Sequence, residues 1–205
     1  MIAVAHFIAI TCYIAAAGLA AFPFARRVSA PVNGVIGVLA AGLIAHGLAL
    51  VAFARQSGSG SLTGLGPALS FAGFVLAVAL LLVEIFAREV SVTLVAAPLA
   101  ALTTIAANIF GLRPLMDPQG IRAFWLVLHI VLSFIGMAAY ATAAAAGLMY
   151  LVARRELKSA RFGAIFRFFP PLDTLDRVNH FASIAGFLSL TTGLALAAAY
   201  SIAYK

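Results

Sequence analysis

The chain has 205 residues, 64% of them hydrophobic and 9% charged, with a net charge of +7 and a mean hydropathy of +1.12. A soluble domain of this length needs far more polar surface to cover its core, so the composition excludes one. The apolar runs are unbroken rather than alternating, which excludes a membrane β-barrel. The basic residues are thinly spread at run ends and in one loop, a pattern that serves orientation and contact with lipid headgroups, not nucleic acid.

Six apolar segments predict an all-α, polytopic transmembrane helix bundle forming a single domain over residues 1–205, since about 20 residues cross a bilayer. The first, 2–24, holds Cys12, the only cysteine, which reads as a small packing residue. It lacks a basic n-region and its arginines, Arg26 and Arg27, follow the apolar run, so it is expected to stay rather than act as a signal peptide. The second, 32–54, ends at Arg55 and the flexible Gly58-Ser59-Gly60-Ser61 stretch. The third and fourth, 67–87 and 90–111, are joined by a tight turn at Arg88-Glu89, and Glu84 is expected to pair with Arg88 one helical turn on.

The fifth segment, 123–153, is uncharged for 31 residues. At 1.5 Å per residue that is about 46 Å, so it must tilt or project beyond the membrane. Small residues crowd it from Ala138 to Gly147, which predicts close approach of another helix. Phe162, Phe166, Phe168 and Phe169 among Arg161 and Arg167 suit a short interfacial segment. Pro170-Pro171 ends it, and Asp173 is the expected N-cap of the helix leading into the sixth span, 179–203.

With six spans both termini share one side. Loops on that side carry Arg55, Arg113, Arg122 and Lys205; the opposite loops carry nine basic residues. The positive-inside rule places both termini on the outer, periplasmic side of a bacterial inner membrane.

Two histidines, His46 and His129, lie within the apolar runs, where an ionisable side chain is costly and marks a functional candidate. His46 is about 12 Å below the outer surface and His129 about 10 Å. If the second and fifth helices are neighbours, both imidazoles can reach one planar cofactor. Bis-histidine ligation suits a non-covalent haem b, whose macrocycle supplies the other four nitrogens, better than bare zinc or copper. There is no C-x-x-C-H for covalent attachment. Arg55, Arg113 and Arg122 are the basic partners for propionates. His6, near the outer end of the first span, is a further ligand candidate, while His180 starts the sixth span on the inner side. Asn108 is placed to pack against or line the outer site. No hydrolytic, phosphate-loop or H-E-x-x-H motif is present.

Ala45-His46-Gly47-Leu48-Ala49-Leu50 and Leu128-His129-Ile130-Val131-Leu132-Ser133-Phe134, continuing to Tyr140, resemble the histidine segments of the cytochrome c assembly (CcsA-like) membrane proteins, HemX/YpjD-type branch. Pro170-Pro171-Leu172-Asp173-Thr174-Leu175-Asp176-Arg177 followed by Gly186-Phe187-Leu188-Ser189-Leu190-Thr191-Thr192-Gly193 is the most specific match. The resemblance covers nearly the whole chain and implies haem handling, with His46 and His129 as the family-like histidines and Phe181, not His180, in the matching place. The family's tryptophan-rich haem-presenting motif is absent, Trp125 being the only tryptophan. The relatives continue with further spans after the G-F-x-x-L-T-x-G helix. Cytochrome c synthetase activity by this chain alone is therefore not expected. The resemblance implies a non-enzymatic haem-binding protein working with membrane lipids and with other subunits of a haem-delivery or cytochrome c maturation complex. The alternatives are a b-type cytochrome redox subunit, or a structural subunit whose histidines only pack.

Overall fold

The structure is a computed structural model, which describes residues 1–26, 31–58, 62–87, 91–114, 121–159 and 169–203. Six helices account for nearly all of them: α1 (Ile2–Arg26), α2 (Val32–Ser57), α3 (Leu65–Ala87), α4 (Ser91–Phe110), α5 (Ile121–Lys158) and α6 (Leu172–Ala203). All six are long and apolar enough to cross a membrane, and no strand occurs among the described residues. The chain is a multi-pass, all-helical membrane protein.

The helices divide into a core and an appendage. Helices α1 to α4 form a ring in which α1 packs on α2 and α4, and α3 on α4 and α2. Their buried residues keep a seven-residue rhythm. On α1 they are His6, Ala9, Tyr13, Ala16 and Ala20; on α2 they are Val35, Leu39, Leu43, His46, Ala49 and Phe53, with Gly42 in the same stripe. A 3–4 alternation keeps one stripe of each helix facing the bundle axis. Alanine and glycine recur in those stripes because lipid gives no hydrophobic drive for helix association, so close contact must supply it.

Helix α5 docks on α3 and, to a lesser extent, α4; α6 packs chiefly on α5. The α5–α6 hairpin is held by glycines that let backbones touch. A Cβ at Gly136 would lie 2.9 Å from Leu190 N and 3.1 Å from Gly186 O, and one at Gly186 would meet the Tyr140 ring at 3.1 Å. The close approach expected along the small residues of α5 is thus made by α6. Asn179 adds an interhelical bond, donating from Nδ2 to Ala143 O at 2.9 Å.

The last two spans run further than their apolar stretches. Helix α5 continues past Ala153 through Arg154, Arg155, Glu156 and Lys158, because long straight-chain residues are good helix formers wherever water can solvate them. Helix α6 starts at Leu172, seven residues before the apolar segment. Its first bond is Leu175 N–H to Pro171 O, 3.1 Å, so Pro171 stands at the cap. Asp173, expected as N-cap, instead lies within the first turn, where it favours the helix dipole and accepts from Arg177 at 2.8 Å. The tight turn at Arg88-Glu89, with the Glu84–Arg88 pair, and the phenylalanines 162, 166 and 168 lie outside the described residues. Glu84 is itself fully buried and accepts a hydrogen bond from Thr93 Oγ1, tying the end of α3 to the start of α4.

Candidate functional site

The heptad stripes bring four polar side chains together within the core, in the half nearest the α1 N-terminus. His6 and Tyr13 are seven residues apart on one face of α1, so both point at the bundle axis. His46 arrives from α2 and Ser70 from α3. The Ser70 hydroxyl is shared by both imidazoles, 3.0 Å from His6 Nε2 and 3.1 Å from His46 Nε2. Tyr13 Oη lies 3.0 Å from His46 Nδ1. The two imidazole rings meet edge to face with centroids 5.1 Å apart, and Phe74 closes another side of His46 at 5.6 Å.

Local sequence explains how these groups fit. Gly42, one turn before His46, leaves the space Tyr13 occupies: a Cβ there would sit 3.1 Å from Tyr13 Cε1 and 2.8 Å from Cys12 Cβ. All four side chains are essentially inaccessible. His6 Nδ1 makes no hydrogen bond of full geometry, although the Asn108 side chain of α4 sits beside it. Asn108 Nδ2 donates to Thr104 O at 2.7 Å. Every helix of the ring therefore contributes to one polar cluster.

His129 is in a different place. On α5 it faces α6, and its Nδ1 is 2.7 Å from Gly193 O. With a backbone carbonyl as partner, Nδ1 must carry the hydrogen, so Nε2 holds a lone pair. No partner for Nε2 occurs among the described residues. Gly193 permits this contact because it has no side chain; a Cβ would lie 3.1 Å from Ser133 Oγ.

The structure thus joins His46 to His6 and not to His129. Helices α2 and α5 share no substantial contact, because α3 packs on both and stands between them. Across α3 the two regions are linked by Phe71 and Phe134, whose rings meet at 5.9 Å. Arg55, Arg113 and Arg122 are exposed near the helix ends on the His6 side of the bundle, and His180 is exposed on α6. Among the described residues no three His, Cys, Asp or Glu side chains converge, so a structural zinc site lacks donors there. An apolar groove of about 910 Å³ lies between α3, α5 and α6 towards the other end of the bundle, with Thr142, Thr174 and Arg177 its polar lining and no histidine.

Sequence reading missed Tyr13 and Ser70. The available signal was spacing: Tyr13 is one heptad from His6, and Ser70 falls in the stripe Ser70, Gly73, Ala77, Leu80, Glu84.

The model of the cytochrome c assembly protein family matches residues 40–201, more than three quarters of the chain. The chain belongs to that family. The match supports a role in cytochrome c maturation, with haem implied by the family. It spans His46, Ser70, His129 and Gly193, while His6 and Tyr13 lie before it. The two glycines of the family-like stretch, Gly186 and Gly193, are the α6 positions that meet Tyr140 and His129. No curated protein and no solved structure matches the chain significantly.

Proposed function

We propose that this family member is a non-enzymatic haem-handling protein of the bacterial inner membrane, with both termini on the periplasmic side and haem b held in the outer half of the bilayer. The observation that carries the reading is His129. Its Nδ1 is committed to Gly193 O and its Nε2 is uncommitted, the arrangement that fixes the tautomer and orientation of a metal-binding imidazole. Neutral imidazole in an apolar setting is the donor chemistry haem iron takes, so the residues fit the group. His129 would be the standing ligand. His46, with His6 behind it, would be the imidazole recruited from the core.

Bound haem would supply an iron centre and an amphipathic cargo. The chain's own residues would hold and orient it: Gly193 O aims His129, and Arg55, Arg113 and Arg122 would offer charge to propionates near the surface. The distribution of four basic residues on the terminal side against nine on the other supports the orientation. The HemX/YpjD-type branch, in which haem is held or delivered rather than attached to an apocytochrome, agrees with the single tryptophan. Partner subunits of a maturation complex and membrane lipids would surround the exposed face of α6.

The test is an absorption spectrum of the detergent-purified protein with added haem. A Soret band with a low-spin α-band on reduction is expected, lost in His129→Ala and weakened in His46→Ala. A colourless protein, or a spectrum indifferent to His129→Ala, would overturn the reading.

A further inference from the structure

Ser70 lies between two imidazoles, and a hydroxyl has only one hydrogen. In a neutral cluster it donates to one Nε2 and accepts from the other, so one of His6 and His46 carries its hydrogen on Nε2 and the other does not. Tyr13 decides which. It is fully buried, and His46 Nδ1 is its hydrogen-bond partner, with no other among the described residues.

If the Tyr13 hydroxyl donates to His46 Nδ1, then His46 donates from Nε2 to Ser70 and Ser70 donates to His6 Nε2. His6 then keeps its hydrogen on Nδ1, beside Asn108. Asn108 gives an amide hydrogen to Thr104 O and retains its carbonyl oxygen as an acceptor. Reversing the chain leaves the Tyr13 hydroxyl with no acceptor in a fully buried position, and an orphaned donor there bears the whole desolvation cost. The first polarity is the resting one.

We propose that Ser70 is a latch on His46. Granted the haem-handling reading above, it holds the hydrogen on the very nitrogen that would ligate iron, so His46 is a closed ligand while His129 is an open one. Opening is a tautomer exchange with water: one proton leaves Nε2 and one returns to Nδ1, Tyr13 Oη turns from donor to acceptor, and the Ser70 hydroxyl keeps its hydrogen on His6 Nε2, so that His46 Nε2 is left with its lone pair. The imidazole stays neutral throughout.

Two measurements test this. Nitrogen NMR of the ligand-free protein in micelles, with ring-labelled histidine and His46→Gln for assignment, is expected to show His46 as the single Nε2–H tautomer. The Nδ1–H form, or a mixture, would overturn the latch. This measurement needs no variant of Ser70. In haem titrations, Ser70→Ala is expected to bind roughly three- to tenfold tighter than wild type, the worth of one competing hydrogen bond, with the gain absent in the Ser70→Ala/His46→Ala double variant. Unchanged or weaker binding would make Ser70 a strut and overturn the proposal. Failure of both proteins to take up haem would sink the haem reading instead, and the tautomer would then decide the hold on His46 by itself.

Discussion

The core ring buries His46 and the α5–α6 hairpin half-buries His129 towards the same end of the bundle, yet they treat the imidazole in opposite ways. In the ring both nitrogens of His46 are taken, one by Tyr13 and one by Ser70. In the hairpin one nitrogen of His129 is anchored on a backbone carbonyl and the other is left over. Depth in the bilayer therefore does not decide whether an imidazole is available to a ligand. What occupies its second nitrogen does. The ring uses its polar groups to knit four helices, and the hairpin uses glycines to bring two backbones close enough for a carbonyl to aim a side chain.

The comparison breaks most visibly at the hairpin glycines. Gly136→Ala places a methyl against the Leu190 nitrogen and the Gly186 oxygen, and backbone cannot rotate away, so α6 must retreat. Overpacking of this kind costs about 1–3 kcal/mol. With the Gly193 anchor displaced, haem affinity should fall by at least about tenfold, the usual effect of losing a partner behind a ligating histidine. Haem titration and thermal unfolding of the same preparation would check both, and an unchanged affinity would separate His129 from haem. Gly42→Ala is the matching change in the ring. Its methyl meets Cys12 and the Tyr13 ring, and loss of the Tyr13–His46 bond should lower stability by about 1–2 kcal/mol. The low-spin spectrum should nevertheless survive, because His129 keeps its anchor and the His46 imidazole is still present. A spectrum lost here and kept in Gly136→Ala would reverse the roles of the two regions.

Much of this was legible in the sequence, but unevenly. Six spans follow from length and hydropathy, since an unbroken apolar run satisfies its backbone in lipid only as a helix. The extension of α5 through Lys158 and the early start of α6 at Leu172 were not visible, because a hydropathy reading stops at charges while a helix stops at caps. His46 and His129 were legible as costly residues at matched depth. Their separation was not, because depth carries no information about which helices are neighbours. The pairing of His46 with His6 was encoded instead in phase, where His6 and Tyr13 stand seven residues apart and His46 falls in the 35–39–42–46 stripe of α2. In a chain this apolar the usual hydrophobic periodicity fades, and only small and polar residues still mark the inner face.

Asn179→Ala refines the hairpin side of the comparison with the smallest effect. Asn179 joins α6 to α5 through Ala143 O, well towards the opposite end of the hairpin from Gly193. Interhelical hydrogen bonds within membranes contribute on average only about 0.6 kcal/mol, so the midpoint of thermal unfolding should move little. The haem spectrum should not move at all if the glycine contacts at Gly136 and Gly186 suffice to hold α6 in register between the two bonds. A spectrum that shifts with Asn179→Ala would mean that α6 slides as one rigid rod on α5, so that Asn179 and Gly193 hold His129 jointly. The aim of that imidazole would then be a property of the whole hairpin and not of the carbonyl beside it.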